Sequence, residues 1–161
     1  MTEAHASPWQ KHGNTAQMVS AFMAVAGIGA LMLQLNAIRS NGREATAQQI
    51  YLNYVRVALD YPQFAQPDYS RIKAGDAQDQ TRYRWFVYLL MSACDEILEN
   101  VDSSAWRNSC AYDLRSHVGF LCDKVDARFL SQFSARIGQL VTTAVSEGRG
   151  SVPECNTPRP S

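Results

Sequence analysis

The sequence predicts an all-α protein: a single N-terminal transmembrane helix followed by a small antiparallel bundle of three to four helices. Three observations point there. No Asp, Glu, Lys or Arg stands between Lys11 and Arg39. Beyond Arg43, apolar residues recur at spacings of three and four, the period of one helix face. No stretch alternates polar and apolar residues with period two for long enough to make a strand.

The uncharged stretch comes first. From Thr15 to Ile38 it holds 24 residues, which as a helix rise about 36 Å. A bilayer core is about 30 Å thick, so one pass fits. Ser20 is the only polar residue inside the apolar part, and its hydroxyl can bond back to the helix backbone. A cleaved signal peptide would want a basic start and a shorter apolar core, and the first ten residues carry no Lys or Arg. An interfacial helix would show a charged face, which this segment lacks. A buried helix of a soluble domain is the remaining rival. Lys11 and the amino terminus precede the span, offset by Glu3, whereas Arg39 and Arg43 come after it. The positive-inside tendency then places the C-terminal domain in the cytoplasm. Ser20, Ala24, Ala26 and Ala30 form small-xxx-small spacings, which leaves homo-oligomerisation through the span open.

Residues 1–14 are expected to be flexible, 15–38 to span, 39–147 to form the helical domain and 148–161 to be a disordered tail. Within the domain, Ile50, Tyr54, Val57 and Tyr61 mark a helix from about Glu44 that Pro62 stops. Pro62 to Gln78 reads as a loop. A second helix runs from Ala77 to Val101, and its Trp85–Met91 run is apolar all round, as in a helix buried on several sides. A third carries Cys110, Leu114, His117, Val118, Leu121 and Cys122. A fourth, Val125 to Ser146, shows Phe129, Phe133, Ile137, Leu140, Val141 and Ala144. Only Cys122-Asp123-Lys124 separates the last two patterns, so one bent helix is the alternative. From Gly148 the composition turns to Gly, Ser and Pro, which suits a tail.

Charge and cysteines limit the function classes. From Glu44 to Glu147 there are ten Lys or Arg against thirteen Asp or Glu, a formal charge of −3. That is no footprint for nucleic acid. Cys94, Cys110, Cys122 and Cys155 contain no C-x-x-C, and three sit in apolar patterns where Cys acts as a small hydrophobe. An even count is compatible with disulfides. The chain lacks the loop-rich texture of disulfide-built domains, which favours a reducing cytoplasm.

The strongest chemical cluster is Cys110, Asp113 and His117, which offsets of three and four place on one helix face. These residue types can ligate zinc, and Asp with His can do base chemistry. A zinc site wants a fourth donor, and Cys122 is turned away. A packed Cys110 and a half-buried His117 bonded to Asp113 is the simpler expectation. Asp95, Glu96, Glu99 and Asp102 make an acidic end to the second helix, with Arg84, Arg107 and Arg115 as candidate partners. Arg82 and Arg84 flank Tyr83, but the aromatics beyond them read as core. No Gly-rich phosphate loop, G-x-S-x-G or H-E-x-x-H occurs. No residue is therefore assigned as catalytic, cofactor-binding or metal-ligating, and no cofactor is expected.

The order of features resembles an uncharacterised family of small bacterial proteins with an N-terminal single transmembrane helix and a short helical domain. The resembling stretches are Gln48–Tyr54, Asp60–Tyr69, Tyr83–Val87, and Trp106 with His117–Leu121. The resemblance covers about residues 15 to 145. It implies this architecture and a bacterial source, and carries no catalytic assignment; with the span, the expected location is the bacterial inner membrane. The expected function is a membrane-anchored protein-interaction role, as an accessory, scaffold or regulatory protein. Its partners are then the lipid bilayer and another protein. The expected interface is the Pro62–Gln78 loop with the exposed side of Tyr51 and Tyr54. Two alternatives are a lipid or small-molecule sensor with a cavity beside Trp85 and Phe133, and a tethered enzyme or metal protein using Asp113 and His117.

Overall fold

The apolar stretch does not end in a break. In the computed structural model, which describes residues 8–156 with side chains from Met18, helix α1 runs unbroken over Pro8–Asp60. It joins the expected span to the expected first domain helix. Residues 8–14, expected to be flexible, are already helical, and residues 1–7 lie outside the described residues. The chain divides into two units after Gly42.

In the first unit, α1 carries the apolar stretch uncovered. Met18, Phe22, Leu33 and Ile38 are between 66% and 74% exposed. Among the described residues, one helix is long and apolar enough to cross a membrane, and it is this one.

The second unit begins at Arg43 and holds the core. After α1 come α2 (Pro62–Ala65), α3 (Tyr69–Ala74), α4 (Ala77–Asn100), α5 (Ser104–Ser116), α6 (Val118–Lys124), α7 (Ala127–Leu130), α8 (Ala135–Gly148) and α9 (Pro153–Asn156). All described secondary structure is helical. Local chemistry sets the starts. Pro62 takes the first position of α2, where its missing N–H costs nothing. Asp68 caps α3 by accepting from Arg71 N at 3.1 Å. Asp76 caps α4 by accepting from Gln78 N and Asp79 N at 2.7 and 2.8 Å, and Asp126 and Ser134 cap α7 and α8.

α4 is the central element. It packs against α3, α5 and α8, while α6 packs against α3, α8 and α9. Val87, Leu90, Met91, Cys94, Ile97 and Leu98 are fully buried, and Leu114, Leu121, Ile137 and Val141 close over them. From α1, Ala47 and Tyr54 enter this core.

Two polar rungs tie α1 to α5. Trp106 Nε1 donates to Glu44 Oε1 at 2.9 Å, and Tyr51 Oη donates to Asp113 Oδ2 at 2.8 Å. Both pairs are separated by 62 residues, so these helices run parallel, seven residues between rungs on each. The short connection 101–103 leads from α4 into α5.

Several expectations are corrected. The Pro62–Gln78 loop contains two short helices, with Phe64 buried. The third pattern breaks at His117 into α5 and α6, and the fourth breaks into α7 and α8 at residues 131–134. The Trp85–Met91 run is not buried all round: Trp85 and Leu89 are exposed, because α4 faces the core on one side only. Residues 149–156 of the expected tail form a turn and α9; residues 157–161 lie outside the described residues.

The cysteines depart furthest from expectation. Cys94 pairs with Cys110, joining α4 to α5, and Cys122 pairs with Cys155, joining α6 to α9. No cysteine is free. Cys94, Cys110 and Cys122 are buried, as expected of small hydrophobes, but as cross-links, and Cys155 is half-buried.

Gly119 marks the tightest approach of α3 to α6. A Cβ there would lie 2.8 Å from Tyr69 Cδ1 and 3.2 Å from Tyr69 Cβ, the root of a ring that cannot swing away. Tyr69 is also held by its hydroxyl, which donates to Asp123 at 2.7 Å. Gly119→Ala should therefore destabilise the domain by about 1–3 kcal/mol through overpacking, read as a lower denaturant midpoint.

Candidate functional site

The three residues of the predicted chemical cluster have separate fates. Cys110 is bonded to Cys94. Asp113 accepts from Tyr51 Oη. His117 is 1% exposed and meets Tyr83, whose Oη lies 2.9 Å from Nδ1. Its ring packs against those of Tyr83 and Phe86, each 5.7 Å away between centroids. Among the described residues, no group of three or more His, Cys, Asp or Glu could hold a metal ion.

The electrostatics are set by burial. Burial lowers His117 to about 4, so the ring is neutral at pH 7. Its Nε2 has no hydrogen-bond partner among the described residues. Burial raises the Asp113 carboxyl, a shift that the Tyr51 bond opposes. Tyr51 is pushed up to about 12, chiefly by burial and then by its bond to Asp113. Such a Tyr–Asp pair is a structural bond and a poor proton relay at neutral pH. His117 and Asp113 thus serve the core and the α1–α5 rung.

At the acidic end of α4, three of the four carboxylates have partners. Asp95 accepts from Ser134 N at 3.1 Å, and Glu96 takes Asn100 at 2.9 Å. Asp102 pairs with Arg107 at 3.2 Å. Arg115, another candidate partner, instead grips Glu147 at 2.7 Å. A basic recess of about 380 Å³ opens beside Lys73, Arg84 and Lys124. Asp123 already pairs with both lysines, at 3.2 and 3.1 Å. Burial raises Asp123, and the bonds from Tyr69, Lys124 and Lys73 override it, holding the carboxyl below its ordinary range.

Two further recesses, of about 400 and 410 Å³, lie beside Asp126, Thr142 and Arg149 and beside Gln66, Asp68 and Arg71; both mix polar and apolar groups, and one more recess is mainly apolar. A groove of about 270 Å³ lies between the end of α1, α2 and the start of α4, lined by Val57, Tyr61, Phe64, Arg82, Trp85, Phe86 and Leu89. Phe64 and Phe86 form its buried floor, and Trp85, 62% exposed, stands at its rim. Tyr61 stacks on Phe64 at 5.9 Å and 12°. Tyr51 and Tyr54 do not present the exposed side expected of them. Tyr54 is core and Tyr51 is held by Asp113 and Trp106, whereas the exposed aromatics include Tyr61 and Trp85 at the groove and Tyr112 outside it. Of the two residues expected beside a sensor cavity, Trp85 lines this groove. Phe133 does not line the groove; it packs on Phe129, which stacks on Tyr88 at 4.6 Å, and Tyr88 meets Trp85 edge-on at 5.7 Å. Sequence reasoning missed the groove because a continuous apolar run does not say which of its residues face out. Comparison with family models, with curated proteins and with solved structures gives no match for this chain.

Proposed function

We propose that this chain is a single-pass membrane-anchored interaction protein, an accessory, scaffold or regulatory subunit whose helical domain receives a segment of another protein in the Trp85 groove. The exposed Trp85 at the rim of an apolar groove is the observation that carries the reading. A tryptophan left in water forgoes a large burial gain that a partner recovers, and Trp and Tyr anchors dominate interface energetics. The polar groups do not compete for the role, because His117, Asp113 and Asp123 are engaged inside the domain. A bacterial inner membrane is the setting that the sequence resemblance and the span together support.

Site-specific photo-crosslinking in membranes tests this. A photoreactive phenylalanine at position 85 of the full-length protein should give a discrete adduct with a second protein. The same probe at Tyr112, exposed but outside the groove, should not. Trp85→Ala should leave the melting temperature nearly unchanged and weaken that complex by about tenfold or more, the order expected of a central aromatic anchor. Equal labelling at both positions would refute the groove as the docking surface.

A further inference from the structure

We infer that the helical domain lies on the oxidising, non-cytoplasmic face of the membrane, with the residues before the span in the cytoplasm. The geometry is that of the cysteines. All four are paired, within the domain and between different helices, α4 with α5 and α6 with α9. Disulfides persist in oxidising compartments, while glutathione and thioredoxin keep cytosolic thiols reduced. One surface pair could be incidental. Here Cys94 and Cys110 have no exposed surface, so their bond is part of the packed core.

The second disulfide adds an independent reason. α9 is four residues long, Pro153–Asn156. An isolated helix of that length does not hold itself in water. It packs on α6 beside the bond to Cys122, and Gly148 leaves room for the crossing. A Cβ at Gly148 would lie 2.6 Å from Val118 Cγ2 and 3.1 Å from Cys155 Sγ. The backbone is thus fitted closely around Cys155, which suits a segment meant to be covalently closed.

The basic residues point the other way, with Lys11 before the span and Arg39 and Arg43 after it. Their margin is thin. The positive-inside tendency also applies to short flanking loops, whereas long domains translocate largely regardless of charge. The span leads into a domain that begins at Arg43 and is more than 100 residues long. Two cross-links outweigh one or two flanking charges. If the Trp85 groove does receive a protein segment, that partner is itself exported or presents an outer domain.

Two readouts on the full-length protein in bacterial cells test the inference independently of any partner. The first compares C-terminal fusions to alkaline phosphatase, which is active only after export, and to green fluorescent protein, which fluoresces when left in the cytoplasm. The second counts thiols by acid-quenching cells and alkylating with a mass-tagged maleimide, with and without prior reduction. The expected result is an active phosphatase fusion, a dark fluorescent fusion, and four tags only after reduction. A bright fluorescent fusion with inactive phosphatase overturns the inference, whatever the thiol count. Four tags without reduction overturn it as well. Either outcome leaves the groove reading untouched, since crosslinking at position 85 reports on that separately.

Discussion

Replacing Cys94 and Cys110 together by alanine is expected to lower the melting temperature of the domain by roughly 10 °C, as a loss of about 3 kcal/mol would for a domain of this size. The bond closes a loop of 16 residues between two core helices, and reopening it enlarges the unfolded ensemble. It also leaves two small voids in fully buried positions. Removing Cys122 and Cys155 should act differently. Their loop is longer, 33 residues, so chain entropy alone would rank this bond higher, at about 4 kcal/mol. However, α9 can detach without the core unfolding, so the main transition should barely move. Residues 149–156 should instead become open to protease. Thermal melts by circular dichroism in detergent, paired with limited proteolysis, check both expectations. Equal melting shifts for the two double variants would contradict the division between core bond and tail bond.

The domain should also lose stability as the solution is acidified, well before its ordinary carboxylates titrate. His117 is held to about 4 by burial, against about 6.5 for an imidazole in an unfolded chain. Between those values the unfolded chain binds a proton that the folded domain refuses, so acid favours unfolding. Stability is complete above about pH 6.5 and declines as the pH falls toward 4, by about 3 kcal/mol across the window. Asp113 acts with the opposite sign. Its raised carboxyl binds a proton more readily when folded, which blunts the low end of the decline. Denaturant unfolding of the wild type and of His117→Gln, at about pH 7 and about pH 5, measures the effect. The Gln variant retains an acceptor near Tyr83 and lacks the titration, so its stability should be nearly flat over that interval. A wild type equally flat would mean that His117 is reached by solvent.

Much of the architecture was legible because helices announce themselves locally. Asp76 and Asn100 bracket α4 within a residue of where the pattern places it, and Ile137, Val141 and Ala144 form the buried face of α8. Pro62 stops α1 as a proline must. Features set by the third dimension were not legible. Cys94 and Cys110 stand in apolar patterns that name no partner, and only the packing of α5 on α4 makes them neighbours. Tyr54 and Trp85 are both aromatics on helices. One is core and the other is exposed because of what packs on each, and neither fact has a period. The Cys110, Asp113 and His117 triple was a fair inference from spacing, yet each side chain leans to a different neighbour. Helical offsets place residues on a face without saying which helix covers each part of it. The expected span ended at Ile38 and the first domain helix began near Glu44, whereas α1 runs on through the residues between them.

The matched rungs between α1 and α5 set a rule for how this chain can change length. Glu44 and Tyr51 stand seven residues apart, as do Trp106 and Asp113. Both helices therefore advance by the same two turns between bonds, like two rulers clamped at two marks. One residue inserted between the marks on either ruler turns everything beyond it by about 100°, and the far rung then points away from its partner. Substitutions that keep the register can drift independently, whereas an insertion on one helix demands its match on the other. Length variation among descendants of this sequence should therefore collect outside residues 44–51 and 106–113.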